Sequence, residues 1–141
     1  MSGQITTFTV QTDGAGLYEF TDGPMRWLEE LQPGDGLLTL MIRHTSASIL
    51  IQENADPQVQ TDLQNWVQRF APRSDDPSMS YLKHTYEGTD DMPGHIRSSH
   101  LPVSLSIPVS EGKMMLGQWQ ALYLWEHRDA PRERYVAAHF A

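Results

Sequence analysis

No cysteine occurs in the 141 residues, which excludes disulfides, thiolate zinc sites and cysteine nucleophiles at once. Long apolar runs are missing too. The longest apolar-rich stretch, Leu37 to Ile42, falls far below the roughly 18 residues a membrane helix needs. The start, MSGQITTFTV, has no charged or apolar region of the secretory type. The expectation is a soluble, cytoplasmic protein with no membrane partner. Positive charge is scarce: 10 Lys and Arg against 18 Asp and Glu leave a net charge of −8. That balance repels a phosphodiester backbone and argues against a nucleic-acid partner. A phosphorylated ligand would need local cations or a metal. With thiols missing, the six histidines move metal ligation to imidazole and carboxylate.

What remains is enough for one domain spanning residues 1–141, since a chain of this size buries roughly 68–70% of its unfolded surface. Neither a repeat nor a low-complexity segment divides it. Gln4 to Val10 is rich in β-branched residues and reads as a strand. TDGPMRWLEEL has a capping candidate at Thr21 or Asp22, Pro24 in the first turn and Pro33-Gly34 beyond its end, which predicts a short helix. Leu37 to His44 and Ala47 to Gln52 read as strands separated by Thr45-Ser46. Asp56-Pro57 then starts a long helix, in which Val59, Leu63, Trp66, Val67 and Phe70 occupy an arc of about 100°. Ala71 to Ser80 reads as an exposed loop. Val103 to Val109, Leu116 to Glu126 and Arg134 to Phe140 supply further strands, with turns at Ser110 to Lys113 and Asp129 to Pro131. Hairpin-like links predict an α+β fold of mainly antiparallel sheets with a few helices packed on one side.

One stretch is too polar to be explained by packing. His84 to Ser99, HTYEGTDDMPGHIRSS, holds two histidines, three acids, an arginine and two serines in sixteen residues. Its His84 and His95, with His127 further on, could supply three imidazoles to a catalytic zinc. Spacings of eleven and thirty-two residues are no metal signature, and hydrogen-bonded surface histidines are the plainer alternative. Asp90-Asp91 could hold magnesium or cap the helix that begins near Pro93. Arg97, Ser98 and Ser99 suit a phosphate. His44 sits in a polar run between two strands. Glu53, Asn54 and Asp56 precede the long helix, where capping by Asp56 outweighs anion binding. Trp27, Trp66 and Trp119 read as core or interface residues, and His100 and His139 have no constellation around them.

The segments HTSASILIQENADP, YLKHTYEGTDDMPGHIRSS and SLSIPVSEGKMMLGQWQALYLWEHRD together resemble the YjbQ-type family, also described as secondary thiamine-phosphate synthases. The likeness runs in order from about His44 to Asp129. It implies an α+β fold, a homotrimer, and the coupling of a hydroxymethylpyrimidine diphosphate to a thiazole phosphate with release of pyrophosphate. By matching position it carries over His44, Glu53, Asn54, Asp56, His84, Asp90, Asp91, His95, Ser98, Ser99 and His127. In that reading His84, His95, Asp91 and Glu53 serve catalysis, and His44, Asn54, Asp56, Arg97, Ser98 and Ser99 hold the phosphorylated metabolite. His84, His95, His127 and Asp90 hold magnesium or zinc. Two alternatives stand beside it. One is a metal-dependent hydrolase built on the histidines, with Asp91 or Glu126 as general base. The other is a non-catalytic trimer that binds a phosphometabolite.

Overall fold

The computed structural model describes residues 3–141. Its strands are β1 (Gln4–Thr12), β2 (Gly16–Glu19), β3 (Gly36–Ile42), β4 (Ala47–Glu53), β5 (Ser104–Ser110), β6 (Lys113–Met114), β7 (Gln120–Glu126) and β8 (Arg132–Phe140). Its helices are α1 (Asp22–Leu31), α2 (Pro57–Phe70) and α3 (Asp91–His100). The strands form a five-stranded sheet in the order β1-β8-β3-β5-β6 and a three-stranded sheet in the order β2-β7-β4. Every pairing is antiparallel, so the expected α+β architecture is the one observed.

Side-chain alternation explains the layering. Leu122 and Leu124 of β7 join Ile49 of β4, Leu38 and Leu40 of β3 and Val136 of β8 in one core between the two sheets. Full burial of each such side chain contributes about 1.5–3 kcal/mol. The intervening residues of β7 face the opposite way. There Tyr123 accepts a hydrogen bond from Gln60 at 2.9 Å, and Trp125 donates to Gln64 at 2.8 Å, both partners lying on α2. The small sheet is therefore covered on both faces, and all of β7 after Gln120 is buried. Helix α3 packs on β4, and a Cβ at Gly94 would meet Ser46, Arg128 and His127 at 3.5–3.7 Å.

Several expectations need correction. Thr21 makes no side-chain cap on α1, because its hydroxyl accepts the Leu122 N–H at 3.0 Å instead. The apolar stripe of α2 is only partly covered: Val67 is buried, whereas Trp66 and Phe70 stack on each other in the open. Strand β7 begins at Gln120, leaving Leu116 to Trp119 in the approach to it. The glycine-flanked β2 was not expected; it is held by pairing with β7. Strand β3 stops at Ile42, which leaves His44 in the link to β4. Among the described residues, no helix is long and apolar enough to cross a membrane.

Candidate metal centre

Asp90 and Asp91 stand at the start of α3, and their carboxylates diverge. Asp91, buried at 3% exposure, turns Oδ1 to the Arg128 guanidinium at 2.9 Å. Its Oδ2 faces Nε2 of His84 at 3.1 Å and of His95 at 3.4 Å. Helical periodicity aligns Asp91 with His95 one turn later. His84 comes from the preceding loop and packs against Tyr86, ring to ring at 4.7 Å. Glu87 places Oε2 3.5 Å from His84 Nε2. Between Glu87 and the helix, Gly88 has φ +107°, and a Cβ there would lie 2.9 Å from Asp90 Oδ1, so this turn requires glycine.

One ligand atom from each of His84, Glu87, Asp91 and His95 can be taken such that all lie within 4.8 Å of one another. A tetrahedral ion with bonds of ~2.0–2.1 Å sets its ligands about 3.4 Å apart. The His84–Asp91, His95–Asp91 and His84–Glu87 separations of 3.1, 3.4 and 3.5 Å are close to that value, and the four groups together converge within 4.8 Å. Two imidazoles with two carboxylates suit zinc or a similar transition ion better than magnesium, which prefers oxygen ligands.

Arg128 fixes the frame. It reaches Asp90 Oδ2 at 3.0 Å, Asp91 Oδ1 at 2.9 Å and the Glu87 carbonyl at 3.0 Å, tying the start of α3 to the end of β7. Asp90 also accepts the Asp129 N–H at 2.9 Å. Burial acts to raise the Asp90 pKa, but the Asp129 N–H and Arg128 outweigh it and hold the carboxyl below its usual range. Asp90 makes no side-chain cap: its expected capping and ion-binding roles give way to the Arg128 clamp.

The expected three-histidine set is not the one the fold assembles. His127, 1% exposed, lies beneath α3 with Nε2 2.9 Å from Ser48 Oγ, outside the group formed by His84 and His95. Burial, then the nearby Arg97 charge, lowers its pKa to about 3, so it stays neutral. Glu126 cannot serve as a general base as folded. It is fully buried, accepts from Thr12 at 2.7 Å and from Arg134 Nε at 2.8 Å, and also accepts the backbone N–H groups of His127 and Arg128.

His44 approaches from another side. The Tyr135 N–H donates to its Nε2 at 2.9 Å, while burial and then Arg134 lower its pKa. It lines a cavity of about 260 Å³ with Thr45, His95, Ser98, Ser99 and Val103, so His95 borders this cavity as well as the cluster. Ser98 donates to the Ala47 carbonyl at 3.4 Å and Ser99 to the Ile96 carbonyl at 2.7 Å. Arg97 does not join the two serines; it lines a different cavity. Glu53, Asn54 and Asp56 stand at the far end of the seven-residue β4, about 20 Å from its Ala47 end. Asp56 caps α2 through Gln58 N–H at 2.9 Å, and Glu53 accepts the Asp56 N–H at 3.2 Å. A further cavity, about 720 Å³ between α1 and the β5–β6 hairpin, is lined by none of the candidate residues.

Two participants received no role in the sequence reading, Glu87 and Arg128, whereas Thr45 belongs to the polar run around His44 that could wall a site at the strand ends. Glu87 follows His84 by three residues within the polar stretch, which was a usable signal. Arg128 was visible only as a neighbour of His127.

An antiparallel two-sheet α+β protein with a histidine–carboxylate cluster at a helix start is thus the class that fold and site define. The chain belongs to the UPF0047 protein YjbQ-like family, whose model matches residues 6–141. It is 42% identical over 130 residues to the UPF0047 protein sll1880 of Synechocystis, covering 92% of this chain and 86% of that one. To YjbQ of Escherichia coli O157:H7 it is 39% identical over 133 residues, covering 94% and 93%. Among solved structures, a YjbQ/UPF0047 protein of Clostridium acetobutylicum superposes with a TM-score of 0.84 at 30% identity, covering 96% and 99%. A hypothetical protein from Aeropyrum pernix K1 superposes at 0.85 with 25% identity, covering 98% of each chain.

Proposed function

We propose that this protein is a metal-dependent enzyme acting on a small phosphorylated metabolite, with formation of thiamine phosphate from its pyrimidine and thiazole precursors as the reaction to test first. The observation that carries the metal part is the convergence of His84, Glu87, Asp91 and His95 within 4.8 Å. The family resemblance supports the particular reaction. A bound ion would supply Lewis acidity to phosphate oxygens as negative charge builds on a leaving group. Thr45 and Ser98 provide hydroxyls in the cavity beside His95, and Arg128 orients Asp91 through its Oδ1. The reading includes a homotrimer, which the family resemblance implies; in such an assembly Glu53, Asn54 and Asp56, which stand apart from the cluster of their own chain, would be placed to meet a neighbouring subunit. Sedimentation as a stable monomer at micromolar concentration would remove that part.

One observation favours a second reading. The cavity beside His95 has no lysine or arginine in its lining, which suits hydrolysis of a phosphate ester better than handling a diphosphate. Mass spectrometry after supplying both precursors with zinc or magnesium separates the two. Thiamine phosphate from the wild type but not from His95→Ala supports the coupling reaction. Inorganic phosphate with no coupled product supports hydrolysis. Neither product, from protein that binds no metal, rejects both.

A further inference from the structure

On α3, positions two residues from His95 lie about 160° around the helix from it. Pro93 and Arg97 therefore occupy the flank opposite the metal cluster, and that flank faces a separate cavity of about 390 Å³, within the range of small-ligand sites. Arg97 is buried at 6% exposure. Its side chain makes one hydrogen bond, from Nη2 to the Ala71 carbonyl at 2.8 Å, and Nε is buried without a partner. No carboxylate lies within ion-pair distance of it among the described residues, whereas Arg73, Arg128 and Arg134 are matched by Asp129, Asp90 with Asp91, and Glu126. His127 lines the same cavity and leaves Nδ1 buried and unpartnered. An uncompensated buried cation beside an unsatisfied imidazole is costly, and an acceptor group from outside the chain would relieve both.

The rest of the lining narrows that group. Two arginines, Arg73 and Arg97, face four carboxylates, Asp75, Asp76, Asp90 and Asp129, so a phosphate dianion would meet net repulsion. Arg128 and Arg73 already hold Asp90 and Asp129, and Asp76 accepts from Ser78. The Asp75 side chain makes no hydrogen bond or ion pair among the described residues and is exposed. We propose that this cavity binds a small zwitterion, with its carboxylate on Arg97 and its cationic group toward Asp75. The site is independent of the metal cluster and needs no ion.

The test is calorimetric titration of metal-stripped full-length protein at neutral pH with 4-aminobutyrate, β-alanine, butyrate, butylammonium and inorganic phosphate. At least one zwitterion should saturate about tenfold more tightly than butyrate, with butylammonium and phosphate weaker still. It should also move the His127 imidazole resonances. Arg97→Met should abolish this binding in protein that remains folded, and Arg97→Lys, which keeps the charge, should retain part of it, whereas an arginine serving only structure would leave the affinity of folded protein unchanged in both variants. Asp75→Asn, at an exposed position, should bring the zwitterions down to the butyrate level. The proposal is overturned if phosphate binds more tightly than every zwitterion. It is equally overturned if no zwitterion saturates at millimolar concentration, or if Arg97→Met leaves binding unchanged. None of these outcomes bears on metal binding or turnover.

Discussion

Two groups of charged side chains sit at the same end of the small sheet and differ in how completely they are matched. Around Glu126 the matching is closed: Arg134, Thr12 and two backbone N–H groups use the carboxylate fully, at no solvent exposure. Around Asp91 it is open: one oxygen is held by Arg128, and the other faces two half-exposed imidazoles with Glu87 behind. A closed network holds the strand end in place, while an open one leaves directional capacity for an ion. Arg128 joins the two, since its backbone N–H serves Glu126 and its side chain serves Asp90 and Asp91.

The sharpest way to break this comparison is to remove each centre in turn. Glu126→Gln should cost about 3–5 kcal/mol of folding stability, because it strands Arg134 as an unpaired buried charge; the midpoint of urea unfolding reads this. A cost under about 1 kcal/mol would mean that the closed network is not structural. His95→Ala should reverse the pattern. Zinc affinity should fall about 100-fold, close to 2.7 kcal/mol, while metal-free stability changes by less than about 1 kcal/mol. Calorimetric titration with zinc beside the same unfolding series tests both halves.

A pH series separates the groups further. His127 and His44 have lowered pKa values in the fold, His127 at about 3. The unfolded chain therefore binds more protons as pH falls below about 6.5, and stability drops with it. Between about 6.5 and 4.5 the slope comes from these histidines and should reach up to about 1.4 kcal/mol per pH unit for His127, with His44 adding in the same direction. Below that range the depressed carboxyls Glu126 and Asp90 add to the loss in the same direction. His127→Asn should reduce the slope of the upper window to the His44 contribution and leave the lower one. A stability that is level from neutral pH to about 4.5 would contradict a neutral, buried His127.

Much of this was legible before folding. The Asp56-Pro57 start of α2 and the alternating strands both depend on local periodicity. His127 was misplaced because thirty-two residues of chain separate it from His95 and spacing cannot fix distance. The grouping of Arg97 with Ser98 and Ser99 failed for a simpler reason. On a helix, adjacent residues are about 100° apart, and here that rotation sends them to different cavities. The stripe on α2 fixed which residues share a face, but the neighbouring layer covers only part of that face.

The smallest effect concerns Asp56, which belongs to neither centre within one chain. As a helix cap its removal in Asp56→Ala should cost about 1 kcal/mol, with zinc affinity unchanged. Asp56→Ser should recover most of that stability, since a hydroxyl can accept the same Gln58 N–H. Turnover measured on the pair then decides the remaining question. If activity returns with stability in Asp56→Ser, the residue acts by holding α2. If activity stays lost while the helix is restored, the carboxylate itself is needed, and the only route to the cluster is from a neighbouring subunit, since in its own chain it stands about 20 Å away, at the other end of β4.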